Sequence, residues 1–365
     1  MKRTRRRFIG TLPALAMLGS SKSRGAVTDD AIAKLLEPIR DKHKLPALAG
    51  AIVTSSGIVA KSAVGVRKAG TDVAVTADDH WHLGSNTKAM TSTLAAIAVE
   101  AGKMRWDSTL AGVFPNAAGL KESPLATVTL THLLSHRAGL PANLKWQTVK
   151  DREDALKQAA SLKPLSAPGE KFEYSNLGYV LAGRMIERVL DDSWENLMRE
   201  RVFKPLGMSQ AGFGGTGTIG NIDQPWPHFA NGKPTPTNGP AVDNPAVIGP
   251  AGTVHASLED WGGFIAMHLA GENGKGRLLK TETFRHLHTP TSGGTYAPGW
   301  MVTNRPWGGG EVLTHAGSNT MNKSVAWLAP KKDFAVLVCT NQGGDATTKA
   351  CDEAAAALIR AQTKA

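Results

Sequence analysis

The positions of the strand-forming segments constrain this chain most. Residues 48–53 and 57–64 are short apolar runs separated by Ser55-Ser56-Gly57, which predicts a hairpin near the N-terminus. Residues 300–303, 312–315, 324–328 and 334–340 read as further strands near the C-terminus, divided by Gly, Pro or Lys-Lys turns. The long interval between them reads as helix and loop, with helices expected over 88–104, 151–160, 177–190, 194–202 and 258–269. Strands confined to the two ends close most economically into one antiparallel sheet built from both termini. Helices at 30–43, capped by Asp29 or Asp30, and at 349–361 would cover it. The expected fold is therefore α/β of the α+β type. Its sheet comes from about 46–65 and 296–341, with a mainly helical region inserted over about 86–290.

Composition supports a globular body. Of 365 residues, 41% are hydrophobic and 20% charged, enough to build a core. No run approaches the roughly 20 apolar residues of a membrane span, so no integral span is expected. The formal charge of +11 is misleading, because seven of the 42 Lys and Arg residues crowd into 1–26, which holds no acid. The remainder is close to balance against 31 acidic residues and forms no basic cluster, so no nucleic-acid partner is expected. Thr4-Arg5-Arg6-Arg7-Phe8-Ile9-Gly10, followed by a mildly apolar run, resembles a twin-arginine export signal. That assigns 1–26 to export and 27–365 to one functional domain, with a periplasmic or secreted destination. Cys339 lies in an apolar run, and it and Cys351 are expected as two buried free thiols.

Three short motifs carry the chemistry. Leu83-Gly84-Ser85-Asn86-Thr87-Lys88 places a lysine three residues after a serine at the start of an apolar helix, where i and i+3 share a face. A serine hydroxyl needs a neighbouring base, and a lysine can serve only if burial or another cation lowers its pKa. Ser85 is the one serine in the chain with lysine at +3. Tyr174-Ser175-Asn176, at a loop–helix junction, offers a phenol that can carry a proton once a cation makes its phenolate accessible. The Asn176 amide can bond Lys88 or a substrate carbonyl. His315-Ala316-Gly317 ends a strand whose small residues let a substrate lie along its edge, and the Ser318 N–H could join that of Ser85 as an oxyanion hole. Asn319 belongs to the polar stretch expected to line the pocket. Each motif also has an ordinary structural reading in isolation: a surface helix, a core tyrosine with a helix cap, and a strand end.

In order and spacing the three motifs resemble the serine β-lactamase-like family. That family includes class C β-lactamases, D-alanyl-D-alanine peptidases, D-aminopeptidases and related esterases. Leu133-Leu134-Ser135-His136-Arg137-Ala138-Gly139-Leu140-Pro141, the run from Pro168 to Asn176, Gly249-Pro250-Ala251-Gly252 and Gly299-Trp300 also fit its pattern. The resemblance implies that Ser85 is the nucleophile and that Lys88 and Tyr174 share the general-base role. It also implies that Asn176 positions the substrate and that His315 lines the substrate side, where Gly317, Ser318 and Asn319 are expected from the strand end and the polar stretch after it. The expected partner is a small molecule or short peptide with an amide or ester bond, and no cofactor or metal is expected. β-Lactamases usually carry lysine where this chain has His315, so the esterase and D-aminopeptidase branches fit better than efficient penicillin hydrolysis.

Three rival readings are weaker. A non-catalytic binder of cell-wall peptides would have no use for the intact Ser85, Lys88 and Tyr174. His132 and His136, four apart, could share a helix face as metal ligands, but Leu133 stands where a His-Glu-x-x-His protease keeps its glutamate. The glycine pattern from Gly215 to Gly220 is followed by Asn221-Ile222-Asp223-Gln224-Pro225, which cannot open a nucleotide-binding helix. The sequence is silent on oligomeric state.

Overall fold

The computed structural model describes residues 27–291 and 294–364. The expected export segment, 1–26, lies outside them. Ten strands are described, in chain order β1 (Ala47–Thr54), β2 (Gly57–Gly65), β3 (Trp81–His82), β4 (Gly212–Phe213), β5 (Val254–Ala256), β6 (Tyr296–Ala297), β7 (Trp300–Arg305), β8 (Gly310–Ser318), β9 (Lys323–Ala329) and β10 (Phe334–Thr340). Seven form one antiparallel sheet in the order β2-β1-β10-β9-β8-β7-β6. The N-terminal hairpin joins the C-terminal meander by pairing β1 with β10, Gly50 opposite Val338. The mixed helix and antiparallel-sheet architecture expected from the sequence is therefore present.

Alternation along the strands divides the core in two. Leu48, Ile52, Val336 and Val338 face the helices Asp29–His43 and Asp345–Lys364, packing with Ile32, Leu36 and Leu358. Ala49, Ala51, Val53, Leu337 and Cys339 face the opposite layer, with Met90 and Leu94 of the helix Thr87–Glu100 and Phe264 and Ile265 of the helix Leu258–Gly271. A strand with both faces buried must be apolar throughout, which is why 334–340 reads as an unbroken hydrophobic run. Each fully buried Leu or Ile side chain contributes about 1.5–3 kcal/mol. Cys339 and Cys351 are both buried and free, as expected.

Three local features differ from the expectation. The first helix is capped by Thr28, whose hydroxyl accepts from the Ala31 N–H, while Asp29 instead accepts the Lys61 N–H at 2.9 Å. The segment 194–202 is a short helix, Trp194–Met198, continued by a wider turn over Arg199–Phe203. Pro205 lies just beyond and has no N–H to extend the regular ladder. Finally β3, β5 and β4 form a second, three-stranded sheet. Strands of two or three residues carry no readable alternation, so this sheet is invisible in the sequence, yet it anchors the segment leading into Ser85.

Candidate active site

Ser85 is presented where two backbones meet. β3 ends at His82, Leu83 is buried, and Gly84 adopts φ 50° before a single tight turn, Gly84–Asn86, opens the helix Thr87–Glu100. A Cβ on Gly84 would collide with the Ser318 nitrogen, and one on Gly317 would lie 2.7 Å from the Ser85 nitrogen. Glycine at both positions lets the end of β8 press against the backbone of Ser85. β7 pairs with β8 only as far as Thr314, so the edge of β8 from His315 to Ser318 is open toward Ser85.

Lys88 follows one turn later and is completely buried. Its Nζ lies 2.9 Å from Ser85 Oγ, 2.8 Å from Asn176 Oδ1 and 2.7 Å from the Ala251 carbonyl. Burial drives its pKa well below the usual lysine value. A neutral amine has two N–H bonds and one lone pair. In that neutral form the Asn176 and Ala251 oxygens, which can only accept, would take both N–H bonds and leave the lone pair for the Ser85 O–H; in the charged form all three contacts are donated by the ammonium.

Tyr174 arrives from a loop held by His136. His136 adopts φ 57°, its carbonyl accepts the Glu173 N–H at 2.7 Å, and its Nδ1 accepts the Ser175 N–H at 3.0 Å. Its ring centroid is 4.2 Å from that of Tyr174. Ser175 caps the helix Asn176–Leu190 by accepting the Gly178 N–H. The Tyr174 hydroxyl donates to Ser85 Oγ at 2.9 Å. Although 37% of the residue is exposed, desolvation of the inward-facing phenol outweighs the Ser85 bond and pushes its pKa up to about 12. Desolvation of the phenol thus works against the accessible phenolate expected from the sequence.

The other expected site residues divide. Asn176 turns Oδ1 to Lys88 and Nδ2 to Asn143 Oδ1 at 2.9 Å, so its amide orients the base. Ser318 keeps its backbone against Ser85, while its hydroxyl donates to the Asn322 carbonyl at 2.8 Å. His315 points inward: its Nε2 accepts the Tyr296 hydroxyl at 2.9 Å and its Nδ1–H donates to the Ala316 carbonyl at 2.8 Å. Burial, with Lys88 nearby, lowers its pKa to about 3, so it presents no cation to the cleft. Asn319 departs from its expected role. It is 3% exposed, and its amide donates to Asp243 and accepts from Met321 and Asn322, so these bonds are to the protein's own interior. His132 and His136 do not share a helix face, because the helix Leu130–Leu134 ends before His136 turns left-handed. Among the described residues no cluster of three metal-ligating side chains occurs.

Beside Tyr174 opens a mostly apolar cleft of ≈ 350 Å³, lined by Phe172, Tyr296, Met301, Ala316 and Trp327 among others. Sequence reasoning missed four contributors: Tyr296 behind His315, Asn143 behind Asn176, and the pair His82 and Asp243, whose side chains are 2.8 Å apart and 1% exposed. His82 could have been noted as a polar residue three before Ser85. Asp243, in an aperiodic stretch, has no local signal.

Comparison with known proteins identifies the fold and the family. The family model described as Beta-lactamase matches residues 32–361. Penicillin-binding protein 4 of Amycolatopsis lactamdurans is 33% identical over 179 residues, 48% of this chain and 46% of that protein, so the chain spans about half the length of this relative. The class C β-lactamase of Rhodobacter sphaeroides has a similar fold, with TM-score 0.74 and 21% identity over 90% of this chain and 99% of that one. So does the D-alanine carboxypeptidase AmpC of Burkholderia cenocepacia, with TM-score 0.73 and 19% identity over 89% and 97%. With the match running from the first helix to the last, the chain belongs to the Beta-lactamase family.

Proposed function

We propose that this protein is an exported serine hydrolase that forms an acyl-enzyme at Ser85 on a small amide or ester substrate, as a peptidase or esterase rather than an efficient β-lactamase. One observation carries the reading: a fully buried lysine, with no carboxylate bonded to it and its pKa driven down by burial, lies 2.9 Å from a serine hydroxyl. In acylation Ser85 Oγ attacks the carbonyl carbon as its proton passes to Lys88. The N–H groups of Ser85 and Ser318 take the developing oxyanion. The C–N or C–O bond then breaks, and the leaving group receives the Lys88 proton relayed through the Tyr174 hydroxyl, which gives its own proton and regains one. In deacylation water loses a proton along the same relay, attacks the ester carbonyl, and Ser85 recovers its hydrogen as the acid departs.

The preference over penicillin hydrolysis rests on His315. A neutral ring already engaged by Tyr296 and the Ala316 carbonyl offers no charge to a substrate carboxylate. The arginine-rich N-terminus supports delivery beyond the cytoplasmic membrane, where short D-amino-acid peptides and esters are suitable substrates. Incubation with a fluorophosphonate and mass spectrometry of the intact chain tests the acyl-enzyme. One adduct is expected on the native protein and none on Ser85→Ala, with turnover of a reactive ester falling on the order of a million-fold in that variant. Absence of any adduct on folded native protein would instead favour a non-catalytic binder.

A further inference from the structure

Asp243 lies in the irregular segment that joins β4 to β5, far from the serine in the chain, yet its carboxylate reaches both sides of the nucleophile. His82 Nδ1 accepts the Gly84 N–H at 3.1 Å, so the imidazole carries its hydrogen on Nε2, which donates to Asp243 Oδ2 at 2.8 Å. The other carboxylate oxygen accepts from Asn319 Nδ2 at 2.9 Å. The Asn319 oxygen in turn accepts from the Met321 N–H at 3.3 Å and from Asn322 Nδ2 at 3.1 Å, which ties down the turn after β8. Gly84 immediately precedes Ser85 and Asn319 immediately follows Ser318. One buried carboxylate therefore links the two backbones whose N–H groups flank Ser85.

We propose that Asp243 is a positioning residue that holds the Ser85 and Ser318 N–H groups at the spacing an oxyanion requires, acting through His82 and Asn319; this rests on the acyl-enzyme reading. An oxyanion hole demands donors about 2.7–3.1 Å from the oxygen that develops charge. Ser85 belongs to a helix start and Ser318 to a strand end; on one side Ser324 of β9, opposite Gly317 in the ladder, bonds the Leu83 carbonyl and the Asn86 amide, and on the other side Asp243 supplies the second tie. A shared acceptor fixes their separation before substrate arrives, and it does so without touching substrate. A neutral carboxamide in place of this carboxylate would keep the volume but face two donors with a single oxygen, so one arm of the clamp must release.

The test compares Asp243→Asn with the native protein, using an activated p-nitrophenyl ester, an arylboronic acid that forms a tetrahedral adduct on serine, and a fluorophosphonate. The expected result is a loss of kcat of about tenfold to a hundredfold, the size of an ångström-scale misplacement. KM should change little, and boronate affinity should fall by the same factor as kcat, which a purely structural bond would not produce. Asn319→Ala, which leaves Asp243 bonded to His82, should give the same signature at smaller amplitude and serves if Asp243→Asn does not fold. Folded variants with native kcat and native boronate affinity would overturn the proposal while native labelling of Ser85 kept the acyl-enzyme reading intact. A native protein that fluorophosphonate fails to label would remove both.

Discussion

Lys88 and Arg152 are both long cationic side chains withdrawn from water, and their surroundings are opposite. Arg152 is bonded to Glu187 and Glu195 and to the carbonyls of Ala246 and Val247. Desolvation opposes its charge, but the two carboxylates outweigh that penalty and raise its pKa. Lys88 has only neutral partners, the Ser85 hydroxyl, the Asn176 amide and the Ala251 carbonyl, so burial acts unopposed and its pKa falls. The difference separates structural from chemical burial. A cation compensated by acids is a permanent charge that holds the helices Arg152–Ala160, Asn176–Leu190 and Trp194–Met198 together. A lysine left uncompensated holds its proton less tightly, which is what the proposed role as a base requires.

Substitution should reveal the contrast most strongly at Lys88. Lys88→Met should lower kcat by roughly 10⁴- to 10⁶-fold, as removal of one member of a catalytic unit does, with the fold retained by circular dichroism. Steady-state turnover of an ester that native protein hydrolyses measures this, and near-native activity would break the comparison. At Arg152 the loss should fall on stability instead. Arg152→Met leaves the part-buried Glu195 without its cation and Glu187 with only the Trp194 N–H and Arg184 at 3.8 Å, and should cost about 1–3 kcal/mol in denaturant unfolding, with kcat of the remaining folded protein unchanged.

The smallest effect is the dependence on pH. Only the neutral form of Lys88 can accept the serine proton, so kcat/KM should fall as pH drops through its lowered pKa and be flat above it. His315, at about 3, and the Tyr174 phenol, at about 12, add no limb between them. Stability carries the opposite sign from a simple ion pair. The unfolded chain binds the lysine proton below about 10.4, while the folded protein holds the amine neutral down to its lowered pKa. Burying this group therefore costs stability at low pH, and the cost shrinks as pH rises through that window, a slope that Lys88→Met should abolish.

The legible parts of the site are those separated by one turn or one strand. Ser85 and Lys88 can be paired because i and i+3 on a helix face together whatever surrounds them. β10 is readable to the residue, since both its faces are buried and its run is unbroken. Tyr174 can be linked to Ser85 only through the order of motifs resembling a known family, as 89 positions separate them. His82 and Asp243 lie 161 positions apart and leave no pattern, because a single buried pair has no periodicity. Asn319 misleads for a related reason: a polar residue after a motif looks like a ligand contact until its partners are known.

By itself, the sequence determined the strand-bearing ends, the inserted helices and the pairing of Ser85 with the Lys88 amine, because local periodicity and short spacing act through the backbone alone. Tertiary structure decided which protons reside where. Protonation depends on what is withdrawn from water together: burial drives the Lys88 pKa down, raises that of the Tyr174 phenol and lowers that of His315, while the fold brings Asp243 behind the Ser85 backbone.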